Sequence, residues 1–161
     1  MTLRAETLAY FAGLVDGEGY VTVYKASASF VAMVAISSTS TAMIDWLQNN
    51  IPGGRSQFIR EATDKRDAVY RWTLQGRAAL LNILPHVIPY AVVKKLQLQL
   101  VLKYCEEIAH GNRGEKYSTE ERELQEAYYV LLRGMNTVGP TSAEVKSNIS
   151  AMFAGGEVSL A

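Results

Sequence analysis

The spacing of hydrophobic residues predicts a helix followed by two strands at the start of the chain. Residues 7–15, TLAYFAGLV, are apolar on almost every side, which is typical of a short helix buried between partners. An acidic turn flanked by glycines follows. Residues 20–26, YVTVYKA, and 29–38, SFVAMVAISS, then alternate with a period of two. This alternation predicts half-buried strands rich in β-branched and aromatic residues.

A helix and a second pair of strands continue the pattern. Residues Ser38–Thr41 offer N-caps for a helix that ends near Pro52. Residues 55–62 and 67–75 predict a hairpin that turns around residues 64–66, Asp-Lys-Arg. The two hairpins, each followed by a helix, indicate an internal pseudo-repeat.

Glycine and proline set the limits of the next helix, and the run after it has two interpretations. We expect a helix to open at Gly76 and to end at Pro85, because a proline ring blocks the preceding helical turn. Within residues 92–109, the segment LQLQLVL alternates like a strand. Leu, Gln and Lys favour helices, however, and the whole run is too long for an ordinary strand. We therefore predict a helix there.

Two further helices are predicted near the C-terminus. Ser118 and Glu121 form the sequence of a capping box, which predicts a helix over 118–133. A last short helix is expected over 142–153, and the tail from residue 155 is expected to fray.

The order α-β-β-α-β-β-α, with further helices after it, predicts an α+β fold with helices on one face of an antiparallel sheet. The other face of the sheet is expected to be open. Because strands can lie in a major groove and place alternate side chains on base edges, a face lined with Tyr, Thr and Arg suits DNA. The expected residues on this face include Thr22, Tyr24, Arg60 and Arg71.

Length and composition indicate one globular domain. Of 161 residues, 48% are hydrophobic and 20% are charged, so we predict a single domain over 1–161. Its core is expected at about 5–110 and a helical extension at about 117–154. No apolar run reaches the ~18 residues that a membrane span needs, and the N-terminus lacks a signal-peptide pattern. The single cysteine, Cys105, excludes an internal disulfide, so we expect an intracellular protein that is not secreted.

Charge is distributed unevenly although the net charge is zero. Residues 55–103 carry nine basic and three acidic side chains, a net charge of +6, whereas residues 1–54 carry −2 and residues 104–161 carry −4. A basic middle segment can present a positive face to a polyanion. An ordinary solvated surface would give the same distribution, so charge alone leaves both interpretations open.

The stretch FAGLVDGEG, residues 11–19, resembles the LAGLIDADG motif of the homing endonucleases. It matches that motif at Ala12, Gly13, Leu14, Asp16 and Gly19. It departs from the motif at four positions, which are Phe11, Val15, Gly17 and Glu18. The motif lies on the expected element, a helix that runs into a strand, and the resemblance covers roughly residues 5–110. The resemblance implies the homing-endonuclease fold, with a saddle-shaped antiparallel sheet.

For a chain with one copy of the motif, the resemblance implies a homodimer in which the two motif helices pack together. The interface residues it implies are Phe11, Ala12, Gly13 and Gly17. Small residues allow the close approach of two helices. Glu18 from each subunit would then meet its counterpart near the two-fold axis.

The resemblance also implies a divalent metal, Mg²⁺ or another cation such as Mn²⁺, which relieves the repulsion between two close carboxylates. The implied ligands are Glu18 and the carbonyl of Gly17. Ser38 stands where the family often has a glutamine near the metal-bound water, and Lys94, with Lys95 as the alternative, matches a basic residue near the scissile phosphate. Asp16 is interpreted as a residue that braces the helix junction.

By the same resemblance, alternate strand residues would face double-stranded DNA. On the strands these are Tyr20, Thr22, Tyr24, Val31, Met33, Phe58, Arg60, Val69, Arg71 and Thr73. Lys65 and Arg66, at the hairpin tip, are expected to contact phosphate. Arg60 and Arg71 are the candidates for bidentate contact with guanine.

The resemblance implies a site-specific DNA endonuclease that hydrolyses phosphodiester bonds at a long, roughly palindromic target. Two alternatives stay open. One is a nucleic-acid-binding protein of the same fold that does not cleave, such as an RNA maturase or a transcription regulator. The other is a protein-interaction module in which the apolar helix is only a dimer contact; it would show no salt-dependent affinity for DNA.

Overall fold

The computed structural model describes residues 3–27, 29–108, 117–138 and 143–153. Four strands form one antiparallel sheet in the order β1-β2-β4-β3. The strands are β1 Gly19–Ala26, β2 Ser29–Ser38, β3 Arg55–Arg60 and β4 Val69–Gln75. The helices are α1 Ala5–Glu18, α2 Thr41–Asn50, α3 Arg77–Val87, α4 Lys95–Glu107, α5 Thr119–Val138 and α6 Ala143–Met152. The predicted α+β class and element order are confirmed.

One face of the sheet and the helices that cover it form the hydrophobic core. The register aligns Val21 with Val34 and Ile36 with Trp72, which places alternate residues of adjacent strands on the same face. Six side chains at the centre of this face are fully buried: Val21, Val23, Val34, Ile36, Trp72 and Leu74. Side chains of the opposite face, among them those of Tyr24, Arg71 and Gln75, line an open groove.

Helix α1 is longer than predicted and is buried on one side only. Leu8, Phe11, Ala12 and Val15, spaced as i, i+3, i+4 and i+7, face the core. The phenyl ring of Phe11 packs edge-on against Trp72, with ring centroids 5.5 Å apart. Residues on the other side of the helix, such as Tyr10, are exposed in the single chain, so burial of that side by a partner stays a prediction.

Helix α3 does not end at Pro85, as predicted, but continues to Val87. Pro85 lies in the last turn and is exposed, while Leu84 and Val87 are fully buried. The backbone N–H of Ile88 still donates to the carbonyl of Leu84 and closes the turn. Burial of two large apolar side chains offsets the hydrogen bond that proline cannot make.

The two predicted C-terminal helices are confirmed, and the first of them ends later than predicted. The capping box is formed: Ser118 N donates to Glu121 Oε2 at 2.8 Å, and Glu121 N donates to Ser118 Oγ at 3.1 Å. Helix α5 extends to Val138 because α6 packs on it, with Val145 against Gly134 in its interior. The tail from residue 155 lies outside the described residues.

Helix α5 packs beside the edge strand β1. Asn136 Nδ2 donates to the carbonyl of Val21 at 3.0 Å, and Lys25 Nζ lies 3.8 Å from Glu126 Oε2. An edge strand leaves backbone groups unpaired, so this helix gives β1 a covering. In the described part of the chain, no helix is both long and apolar enough to cross a membrane.

Candidate functional site

The helix-to-strand junction presents one carboxylate to solvent. Glu18 is the last residue of α1 and is exposed, and β1 begins at the next residue. A side chain at Gly19 would collide with the backbone of Val15, so only glycine permits the chain to pass directly from helix to strand. Glycine at this position therefore allows a tight junction, and the junction holds Glu18 at a defined point.

Asp16 and Lys94 tie this junction to the start of α4. Asp16 Oδ2 accepts from the backbone N–H of Val92 at 2.7 Å, and Oδ1 accepts from that of Lys94 at 2.8 Å. In return, Lys94 Nζ donates to the carbonyls of Val15 at 3.2 Å and Asp16 at 3.3 Å. The interpretation of Asp16 as a brace agrees with these contacts, and the end of α1 is held from two directions.

The residues at the junction fit a divalent cation only as a shared site. Among the residues that the structure describes, no group of three or more His, Cys, Asp or Glu side chains could hold a metal. One chain offers the Glu18 carboxylate and, in the last turn of α1, the Gly17 carbonyl, which has no intrahelical donor. Mg²⁺ is commonly bound through one or two carboxylates together with substrate phosphate oxygens. A divalent cation would therefore be held by these oxygen ligands from two chains together with a phosphate of the DNA.

The other two predicted catalytic side chains already have partners. The hydroxyl of Ser38 accepts a hydrogen bond from the backbone N–H of Ser40 at 3.0 Å. Ser38 pairs with Tyr70 and has the same parity as Ile36, so its side chain lies on the helix-covered side of the sheet. The ammonium group of Lys94 is engaged with α1, as described above. Catalytic roles for these two residues stay predictions.

The outer side of α1 differs from the interface implied by the motif. Phe11 and Ala12 have no exposed surface, so neither can contact a partner chain, and this part of the prediction is wrong. Gly13 and Gly17 are exposed, and a methyl group added at either would meet no atom within 4 Å. Tyr10, which is 50% exposed, shares this side. Phe11 and Ala12 therefore belong to the core, and Gly13 and Gly17 remain exposed on the outer side of α1.

The open face of the sheet forms a groove of about 860 Å³. The strand register sets which side chains are neighbours across the groove: Thr73 is opposite Arg55, and Arg71 is opposite Gln57. Polar and apolar side chains contribute to the lining, which comprises Tyr24, Val31, Met33, Gly53, Arg55, Ser56, Gln57, Arg71, Thr73, Gln75 and Gly76.

Most residues predicted to face DNA have accessible surface, and one does not. Those that are exposed or half-buried are Tyr20, Tyr24, Val31, Met33, Phe58, Arg60, Lys65, Arg66, Val69, Arg71 and Thr73. Thr22 is only 2% exposed, and its hydroxyl donates to the carbonyl of Val23 at 3.1 Å. The prediction for Thr22 is corrected, because its short side chain is covered and its hydroxyl is turned toward the main chain.

A register shift in β3 changes which side chains share the open face. Phe58 pairs with Tyr70 and Arg60 with Val69, so one extra residue stands between these pairs. Phe58 therefore lies on the side of Trp72 and Tyr70, 5.5 Å from the Tyr70 ring, and not on the open face as predicted. Such a bulge resets the period-two pattern.

Sequence reasoning missed four polar residues of the open face: Ser37, Arg55, Gln57 and Gln75. The register places their side chains on the same face of the sheet as those of Arg71 and Thr73. The signal for Ser37 was its alternation with Ile36. Once the hairpin register is known, the parity of Arg71 and Thr73 also identifies Arg55 and Gln57.

The hairpin tip between β3 and β4 is basic and exposed. Thr63 and Arg66 exchange backbone hydrogen bonds of 2.7 and 3.2 Å, which forms the predicted tight turn. The side chains of Lys65 and Arg66 extend into solvent from this turn. Such side chains are suited to a phosphate backbone, where they provide attraction without sequence preference.

Comparison with solved structures identifies the fold. The homing endonuclease I-CvuI in complex with its target matches 92% of this chain and 95% of its own, at 15% identity and a TM-score of 0.59. The archaeal intron-encoded homing endonuclease I-Vdi141I, complexed with DNA, matches 91% and 94%, at 14% identity and a TM-score of 0.66. The LAGLIDADG homing endonuclease I-GzeII matches 94% of this chain and 50% of its own, at 14% identity and a TM-score of 0.56.

Sequence comparisons alone do not reveal this similarity: no protein-family model matches the chain, and neither does any curated protein. The similarity to solved structures is one of fold, and it agrees with the resemblance seen in the motif.

Proposed function

We propose that this chain, which has the fold of the LAGLIDADG homing endonucleases, is a site-specific DNA endonuclease that acts as a homodimer with a divalent cation. The observation that carries the proposal is the exposed Glu18, held at a braced helix end beside an open sheet face with basic and polar side chains. The solved structures of similar fold include complexes with DNA.

Glu18 and the Gly17 carbonyl would hold the cation, with a second Glu18 from the partner subunit. When bound, such an ion polarises the phosphoryl group and lowers the pKa of a water molecule. I-CvuI complexes were solved with Mg and with Ca, which supports a divalent ion for this fold. The chain itself positions these two ligands, because the hydrogen bonds between Asp16 and the start of α4 keep the end of α1 from shifting.

The dimer would form through the exposed side of α1. Gly13 and Gly17 are four residues apart on this side and allow two helix backbones to approach closely. The open sheet face of each subunit would lie in the major groove of one DNA half-site. The two-fold symmetry of the dimer would then make the target long and roughly palindromic. Lys65 and Arg66 would contact phosphates.

The test is selection from a randomised library of DNA duplexes, followed by cleavage assays with Mg²⁺. We expect the natural chain to cleave the selected duplexes and Glu18→Gln to bind the same sequences without cleaving them. Glu144→Gln is the matched control, because Glu144 is an exposed acid in the first turn of another helix, α6. It should cleave like the natural chain.

Equal cleavage by Glu18→Gln and the natural chain would overturn the catalytic assignment. If the natural chain binds specific duplexes but never cleaves them, the alternative of a non-cleaving binder of this fold is correct. Absence of any salt-dependent DNA affinity would rule out both and would favour a protein-interaction role.

A further inference from the structure

Ser37 and Arg71 form a side-chain pair on the open face of the sheet. They are cross-strand partners on β2 and β4, and Arg71 Nε donates to Ser37 Oγ at 3.1 Å. Their sequence separation is 34 residues, so only the sheet brings them together. Arg71 lines the groove, and Ser37 lies on the same face of the sheet. No prediction from sequence gave Ser37 a role.

The hydrogen bond to Ser37 uses one donor of the arginine and leaves the others free. A guanidinium group has five N–H donors in a planar fork, and fixing Nε orients the two terminal nitrogens together. Within the described ranges, ion pairs join Lys25 to Glu126 and Lys103 to Glu107, and none involves Arg71. Its positive charge therefore faces the groove without a carboxylate partner.

The register places this pair in line with the candidate catalytic residue. Gly19 is opposite Ile36, so Ser37 lies level with the end of α1, where Glu18 precedes the first strand. Arg71 is opposite Ser37, and Gln57 is opposite Arg71. Hydrogen-bonding groups thus extend across the sheet from the point where Glu18 is held. Farther along β1 and β2, the facing pairs are the less polar Tyr24–Val31 and Thr22–Met33.

We propose that Ser37 is a positioning residue that holds Arg71 for bidentate hydrogen bonding to a guanine of the target. This inference rests on the proposed function, because it assumes that the open face binds DNA. A planar arginine fork matches the O6 and N7 acceptors of guanine, and a fork held in place before binding loses less conformational freedom than a mobile one. The guanine read by Arg71 is then a base pair at which the chain discriminates strongly.

The experiment measures sequence preference, and it does not depend on cleavage. Duplexes are selected for binding to the natural chain, and each position of the selected half-site is then substituted. Arg71→Ala should remove the preference for guanine at one position, and Arg71→Lys should not restore it, because lysine lacks the planar fork. Ser37→Ala should weaken the same preference about tenfold while affinity for random duplexes stays constant.

Two further variants separate positioning from general structure. Ser37→Thr keeps the hydroxyl and suits a strand, so it should rescue the preference that Ser37→Ala weakens. Ser29→Ala is the matched control, because Ser29 lies at the far end of β2 and its hydroxyl donates to the carbonyl of Ala26. It should bind the selected duplexes as the natural chain does.

The outcomes distinguish this inference from the proposed function. If Arg71→Ala selects the same sequence as the natural chain, the role of Arg71 is refuted while DNA binding stands. If Ser37→Ala and Ser37→Thr give the same preference as the natural chain, Ser37 does not position Arg71. If the natural chain selects no sequence, the proposed function fails first.

Discussion

Asp16 and Lys94 clamp two helix termini to each other by reciprocal hydrogen bonds. The carboxylate of Asp16 accepts the backbone N–H of Lys94, and the ammonium group of Lys94 donates to the carbonyl of Asp16. Charged groups at helix ends also complement the helix dipole: the anion lies at the start of α4 and the cation at the end of α1. Glu18 is two residues after Asp16, so the position of the Glu18 carboxylate depends on this clamp.

Replacing Asp16 with Asn should destabilise the fold by about 1–3 kcal/mol. Asparagine replaces one of the two acceptor oxygens with an NH2 donor, so the N–H group of either Val92 or Lys94 loses its acceptor. The free energy of unfolding in urea is the measurement. Asp45→Asn, at an exposed position of α2, is the control and should change stability little. Equal stability of both variants would show that the clamp contributes nothing.

Replacing Lys94 with Met tests whether Lys94 is a brace or a phosphate contact. As a brace, its loss should lower the free energy of unfolding by about 1 kcal/mol, because two carbonyls of α1 lose a donor. The salt dependence of DNA binding should then be unchanged. Lys146→Met, at an exposed position of α6, is the control and should change neither stability nor the salt slope. A phosphate contact would instead leave stability unchanged and reduce the salt slope by about 1 per subunit.

Replacing Gly13 or Gly17 with Ala should have opposite effects on the fold and on the dimer. Each alanine meets no atom of its own chain and raises helix propensity, so it should stabilise the isolated chain by about 0.5–1 kcal/mol. In a dimer built on this side of α1, the same methyl groups would separate the helices. Sedimentation equilibrium should therefore show weaker association for the double variant.

Gly134→Ala is the control for this prediction. Gly134 lies inside α5, and an added methyl group would make only ordinary contact, 3.6 Å from Val145. This variant should associate like the natural chain. If the Gly13 and Gly17 variants also associate normally, the dimer interface lies elsewhere on the molecule.

Alkaline solution should weaken the fold because several buried acids must ionise. Burial raises the pKa of the Cys105 thiol from 9.0 to about 12, despite the opposing charge of Arg77. The pKa values of the Tyr104 and Tyr128 phenols also rise, mainly through burial. The pKa values are higher in the folded state than in the unfolded state. The free energy of unfolding is therefore unaffected by these groups below their unfolded-state pKa values, and it decreases as the pH rises from those values toward the folded-state values.

Urea unfolding measured at intervals between pH 7 and pH 12 checks this prediction. Stability should fall above about pH 9, where the unfolded thiol ionises and the folded thiol does not. Cys105→Ala should show a smaller decline, although its stability at pH 7 is lower because of the cavity. A decline of the same size in both chains would exclude the thiol as a contributor.

The sequence by itself determined the order of the elements and the two faces of most strands. Period-two alternation predicted that Tyr24 and Arg71 lie on the open face of the sheet, and both line the groove there. The motif also indicated the fold that solved structures of low identity then confirmed. Local periodicity and local turn chemistry are properties of adjacent residues, so sequence contains them directly.

Only the tertiary structure decided which residues of those elements work together. The pairing of β3 with β4 places Gln57 on the open face and Phe58 off it, and the bulge after Phe58 returns Arg60 to the open face. The burial of Phe11 and Ala12 depends on where α1 packs, and the clamp between Asp16 and Lys94 joins residues 78 positions apart. Each arises from packing between distant segments, which no local pattern encodes.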